Sequence, residues 1–150
     1  MIRTKKRLAV CLSLTAFNIL FIWVNSMLPS EVSAGFSRLV GRIIDFLIPG
    51  SGDTNAGQGH GILRKIAHLM EFLCLGVLLS WLVRMLRQKT WEYYAFPLLA
   101  GVAVASVDET IQCFVPGRGP GILDVCIDST GVILGILLLS CIIHITNRKK

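Results

Sequence analysis

Asp108, Glu109, Gln112, Arg118, Asp124 and Asp128 are gathered in one stretch, DETIQCFVPGRGPGILDVCIDSTG, between two segments built of Val, Ile, Leu, Ala and Gly. Upstream, Lys65, His68 and Glu71 recur at i, i+3 and i+6. That spacing reads as one face of a helix over roughly 9 Å, at about 1.5 Å per residue. Carboxylates, an imidazole and a guanidinium are the reagents of acid–base catalysis, metal-assisted hydrolysis and phosphate recognition. Asp108, Glu109, Asp124 and Asp128 could hold a divalent cation such as Mg²⁺ or Mn²⁺ against a phosphate. His68 could shuttle a proton that Glu71 or Asp108 orients, while Arg118 and Lys65 steady an anionic head group.

Each of these residues also has a plainer reading. A lone histidine on an apolar helix is more often packed than catalytic, and Asp124 suits the N-terminus of the following helix. Asp128 lies a turn too deep for a cap. Gln112 and Arg118 could serve loop structure, and the Gly131/Gly135 G-x-x-x-G spacing reads as close helix packing. The charges could simply neutralise one another. That leaves Glu71, Asp108, Glu109, Asp124 and Asp128 against Lys65 and Arg118, and surplus buried negative charge calls for a proton, a metal or a cationic ligand.

The elements that must position these groups are membrane spans. Apolar residues make up 53% of the 150-residue chain, charged residues only 16%, and the mean hydropathy is +0.67. A spanning helix needs about 20 mostly apolar residues. Four runs qualify: Leu8 to Leu28, Ile62 to Leu86, Tyr93 to Phe114 and Ile122 to Ile145. The expected fold is therefore an all-α four-helix membrane bundle in a single domain over 1–150. The basic residues before Leu8 and the Val32-Ser33-Ala34 sequence also fit a signal peptide, but the apolar run exceeds the roughly 7–15 residues of a signal core. An uncleaved anchor is expected. VPGRGPG breaks the last two helices, and Trp91, Tyr93 and Tyr94 fall where an interfacial aromatic belt would lie.

The net charge of +6 lies in short clusters beside the spans, not in an aromatic-interleaved patch, so nucleic acid is not an expected partner. The basic N-terminal tail, the Arg84/Arg87/Lys89 loop and the Arg148-Lys149-Lys150 tail would share the cytoplasmic side. Both termini are then inside, and the polar stretch faces outward. Arg38, Arg42, Arg64 and Lys65 run against this assignment. Between the first two spans, Val32 to Ile48 carries Phe36, Leu39, Val40, Ile43, Ile44, Leu47 and Ile48 at helical spacing and reads as an amphipathic interfacial helix. Pro49 to Gly61 reads as a glycine-rich connector with a solvated His60, because no phosphate-loop pattern is present. The five cysteines show no zinc-ligand spacing, and a Cys113–Cys126 disulfide would need an oxidising side.

NSMLPSEVSAGFS, RKIAHLMEFLCLG and DETIQCFVPGRGPGILDVCIDSTGVILG together resemble the VanZ-like family of small bacterial membrane proteins. The combined K-x-x-H-x-x-E, D-E-x-x-Q, P-G-R and D-x-x-x-D motifs are far more specific than any one of them. The family pattern falls on Lys65, His68, Glu71, Asp108, Glu109, Gln112, Arg118, Asp124 and Asp128. Phe72 fills the aromatic position after the acidic residue, and Ser129 stands where members carry Asn or Ser. The resemblance implies a role in the cell envelope and, through the family's namesake, a link to teicoplanin susceptibility. It implies no settled reaction.

Two functions follow from the residues. One is an outer-leaflet enzyme acting on a lipid-linked or cell-wall substrate. The other is a non-catalytic membrane factor that binds an envelope lipid, a lipoglycopeptide or a partner membrane protein. No complete signature of a phosphatidic-acid-type phosphatase or an alcohol phosphotransferase is present. Transport through an oligomer fits less well, since the sequence has no internal repeat and no second gate. The sequence does not set the oligomeric state.

Overall fold

The computed structural model describes residues 2–28, 58–87, 89–119 and 121–148. They form four α-helices and no strand: α1 (Ile2–Met27), α2 (Gln58–Leu86), α3 (Glu92–Gln112) and α4 (Ile122–Arg148). All four are long and apolar enough to cross a membrane. Their outward surfaces carry Phe17, Leu20, Leu99 and Leu137, each more than half exposed, as expected where lipid and not water covers the helix. The chain is a multi-pass membrane protein. The amphipathic segment expected over Val32 to Ile48 lies outside the described residues.

The helix bounds differ from the apolar runs at several places: α3 stops at Gln112, two residues short of Phe114, α4 runs past Ile145 to Arg148, and the starts of α1 and α2 move further. α1 begins at Ile2, so the basic residues before Leu8 continue the helix. α2 begins at Gln58 and takes in the last residues expected to belong to the glycine-rich connector. Glycine weakens a helix interior by about 1 kcal/mol, but adding residues to a formed helix avoids the cost of nucleation.

The helices run up and down in sequence. Cys11 Sγ approaches the Leu78 carbonyl and Asn25 reaches Glu71, so α1 is antiparallel to α2. Lys65 meets Asp124 at one end, and Arg84 donates to Ser140 Oγ at 2.7 Å toward the other, so α2 and α4 are parallel. This parallel pair makes the most extensive contact in the bundle. Glycine makes it close: a Cβ added to Gly131 would lie 2.5 Å from the Leu69 carbonyl oxygen. One added to Gly135 would collide with the Leu73 carbonyl, and one on Gly76 with the Val132 carbonyl. The expected packing role of the G-x-x-x-G pair is what the structure shows. Around it, Ile22, Phe72, Leu75, Leu79, Ala105, Val132 and Ile136 form the apolar core.

Candidate functional site

The end of the bundle where α1 and α3 finish and α2 and α4 begin collects the polar side chains. The loop after α3 turns by local chemistry. Pro116 and Gly117 occupy the middle of a turn closed by the Arg118 N–H donating to the Val115 carbonyl at 3.2 Å. Gly117 has φ 76°, a left-handed value that glycine adopts without a Cβ clash, and Pro-Gly at these positions is the signature of a type II turn. The turn brings Arg118 back over the bundle, where it is buried and donates from Nη2 to the Asn25 carbonyl at 3.0 Å. The Gly121 N–H then donates to Glu109 Oε2 at 3.0 Å, tying the loop's exit to the end of α3. The Asp124 and Val125 N–H groups return to the Gly121 carbonyl to start α4.

Deeper in the bundle, His68 from α2, Asp108 from α3 and Asp128 from α4 come together. His68 Nδ1 is 3.8 Å from Asp108 Oδ2 and 3.9 Å from Asp128 Oδ1. One ligand atom from each of the three lies within 4.8 Å of the others. At about 1.5 Å per residue, Asp128 sits roughly 9 Å along α4 from its first residue. Asp108 is 0% and Asp128 1% exposed, and Asp108 Oδ1 and Asp128 Oδ2 have no hydrogen-bond partner. The other Asp108 oxygen accepts from Gln112 Nε2 at 2.9 Å, and that amide also faces Ser26 Oγ at 3.4 Å. A small cleft reaches this level, lined by Arg64, Lys65, His68, Glu109, Gln112, Asp124, Ile127 and Asp128.

All nine candidate residues are at this end, but they divide into groups. A step of three residues advances about 300° around a helix, so i, i+3 and i+6 fan across about 120° and do not stay on one line. Lys65 accordingly turns to α4 and pairs with Asp124 at 3.3 Å, in a bridge open to solvent. His68 faces α3 and α4. Glu71 faces α1 and accepts from Asn25 Nδ2 at 2.9 Å. Asp124, in the first turn of α4, is the partner of Lys65 and not a member of the buried triad. Glu109 is spent on Gly121.

Mutual neutralisation is only partial. Among the described residues, Lys65 is the one cation of the cluster in an ion pair, and no lysine or arginine pairs with Asp108 or Asp128. Arg118 keeps Nε and Nη1 without partners. Burial, followed by the nearby Arg64 charge, pushes its guanidinium below the ordinary arginine value, while Asp108, Glu109 and Glu71 pull the other way. An arginine under these opposed influences stays charged.

Two participants were not among the expected site residues. Asn25 links Glu71 to Arg118 through its side chain and its carbonyl, and Ser26 is fully buried beside Gln112. Their signal was a polar Asn-Ser pair at the end of an otherwise apolar span. Cys113 and Cys126 are free and exposed, and Cys113 Sγ faces the Glu109 carbonyl at 3.4 Å.

A family model described as VanZ/LLP1 matches residues 7–144, which takes in most of all four helices and every polar side chain of the cluster. The chain belongs to the VanZ/LLP1 family. No curated protein matches the chain. No solved structure matches it either. In this VanZ/LLP1 chain the matched region runs from the basic start of α1 to near the end of α4 and includes the polar bundle end.

Proposed function

We propose that this VanZ/LLP1 protein is an enzyme of the bacterial cell envelope, working as one membrane domain on a lipid-linked or cell-wall substrate at the outer leaflet. The observation that carries this reading is the placement of His68 between two buried carboxylates, each with an oxygen left unpartnered. Leaving a buried polar atom without a partner costs about 1–3 kcal/mol, so a site that keeps several is arranged for something other than its own stability. His68, Asp108 and Asp128 form the reacting centre, with Asp108 oriented by Gln112. Arg118 offers two unpartnered nitrogens to the anionic part of the substrate. Lys65, Glu109 and Asp124 form the rim through which the head group enters.

Both termini are cytoplasmic and the polar end faces outward, on the strength of the Lys and Arg distribution. Lipid substrate would reach the cleft along the bundle, because Phe114, Ile122 and Leu123 beside it are 83%, 86% and 74% exposed and suited to lipid contact. Altered envelope chemistry would in turn change teicoplanin susceptibility.

The test compares envelope lipids and wall precursors by mass spectrometry in cells carrying the wild type, Asp108→Asn or no copy. A species that appears with the wild type and is lost with Asp108→Asn supports an enzyme. Identical profiles, with both proteins folded and expressed, would leave a non-catalytic lipid-binding or partner-binding factor.

A further inference from the structure

We propose that His68, Asp108 and Asp128 hold a single divalent transition-metal ion, Mn²⁺ in preference to Mg²⁺. This deepens the reading above and rests on the same site, but it makes a different residue choice from a carboxylate-only cage. Glu109 and Asp124 are left out because, among the described residues, only His68, Asp108 and Asp128 bring their ligand atoms within 4.8 Å of one another.

Geometry supports it first. The two His68 to carboxylate separations, 3.8 and 3.9 Å, are too long for hydrogen bonds. Ligand atoms about 2.1 Å from a shared ion, at angles of about 90–110°, lie about 3.0–3.4 Å from each other. The two His68 contacts therefore need to close by about 0.4–0.9 Å, and the widest pair of the three, within 4.8 Å, by no more than about 1.8 Å, which rotamer changes supply. Three helices present the donors, so no single turn or cap explains their meeting.

Charge supports it second. Asp108 and Asp128 are buried, with only one imidazole near them and no fixed cation paired to either. A divalent ion would balance both carboxylates. On each carboxylate the oxygen other than the one measured against His68, Asp108 Oδ1 and Asp128 Oδ2, is also without a hydrogen-bond partner, a second sign of a missing partner.

The donor set decides the class of ion. Mg²⁺ favours oxygen ligands and retains much of its water, whereas one imidazole nitrogen with two carboxylates suits Mn²⁺ and its neighbours in the first transition row. Three protein ligands leave coordination positions open. One of them can take a phosphate oxygen of the substrate while Arg118 holds another part of the same anion.

The test uses the full chain in detergent, stripped with EDTA and titrated with MnCl₂. Loss of the free-ion paramagnetic resonance signal reads binding, and pulsed resonance reads ¹⁴N coupling. One Mn²⁺ per wild-type chain is expected, with ¹⁴N coupling from His68. Asp128→Asn should weaken binding about tenfold or more, while Asp124→Asn stays within about threefold. No stoichiometric binding, no ¹⁴N coupling, or equal losses in Asp124→Asn and Asp128→Asn would each overturn the proposal. If Asp128→Asn does not fold, the wild-type ¹⁴N signal still decides. Mn²⁺ binding without an Asp108-dependent envelope product would remove the enzyme reading and keep the metal, and a product without Mn²⁺ binding would do the reverse.

Discussion

Asn25 donates its side-chain amide to Glu71 Oε1 at 2.9 Å, while its own carbonyl accepts from Arg118. Only the first of these bonds depends on the side chain. Asn25→Ala should therefore lower stability by about 1–3 kcal/mol by stranding the Glu71 carboxylate, with Arg118 still held by the backbone. Thermal unfolding in detergent checks the size. In a double-mutant cycle with Glu71→Ala, which removes the acceptor, the two substitutions should be non-additive; simple additivity would mean that the bond carries no coupling.

The α2–α4 contact should be intolerant of one methyl group. Gly131→Ala and Gly135→Ala each drive a Cβ into the main chain of α2, which cannot move aside as a side chain does. Each should cost about 1–3 kcal/mol, the usual scale of overpacking. Gly119→Ala, where an added Cβ meets nothing within 4 Å, is the matched control and should unfold like the wild type. Melting temperatures of the three variants separate packing from a general intolerance of alanine.

Arg118 depends on both its turn and its shape. Gly117→Ala places an L side chain at φ 76° and should cost about 1–2 kcal/mol. Arg118→Lys keeps the charge but loses the planar fork, so it should not restore function. The measurement is the amount of any Asp108-dependent envelope product; full activity in Arg118→Lys would show that a point charge suffices.

Lys65 and Asp124 should matter little to stability. Their bridge is solvent-open, with 46% of the Lys65 side chain and 23% of Asp124 exposed. Lys65→Ala should lower stability by less than about 1 kcal/mol. A larger loss in the same unfolding measurement would mean that this pair holds the α2–α4 mouth together.

The orientation is open to chemical labelling. Gly119→Cys, with Cys113 and Cys126 changed to Ala, places a thiol at an exposed loop position with room around it. An impermeant maleimide added to intact cells should label it. Labelling only after lysis would invert the topology.

Much of this arrangement was legible in the sequence because it lies in composition and order. Four apolar runs gave four spans, and the polar breaks between them put Asp108 and Asp128 at the same end. Rotation about each helix axis was not legible. Lys65, His68 and Glu71 looked collinear, yet their angular drift sends each to a different neighbour. Which carboxylates stay unpaired was hidden for the same reason. It depends on the Gly121 N–H reaching Glu109 and Lys65 reaching Asp124, both set by tertiary approach. Asn25 and Ser26 open the NSMLPSEVSAGFS stretch, but a single polar pair at a span end has no periodicity to mark it as part of the site.

The glycine contact between the two parallel helices acts as a depth gauge. Gly131 rides against Leu69 and Gly135 against Leu73, the same offset along both helices, so the interlock permits one axial register. A slip of one residue would carry Asp128 about 1.5 Å past His68 and spoil their alignment. The vertical precision of the polar cluster is thus held by residues that have no polar side chain. Lipid-facing positions are consequently free to vary with the surrounding membrane without disturbing the chemistry inside.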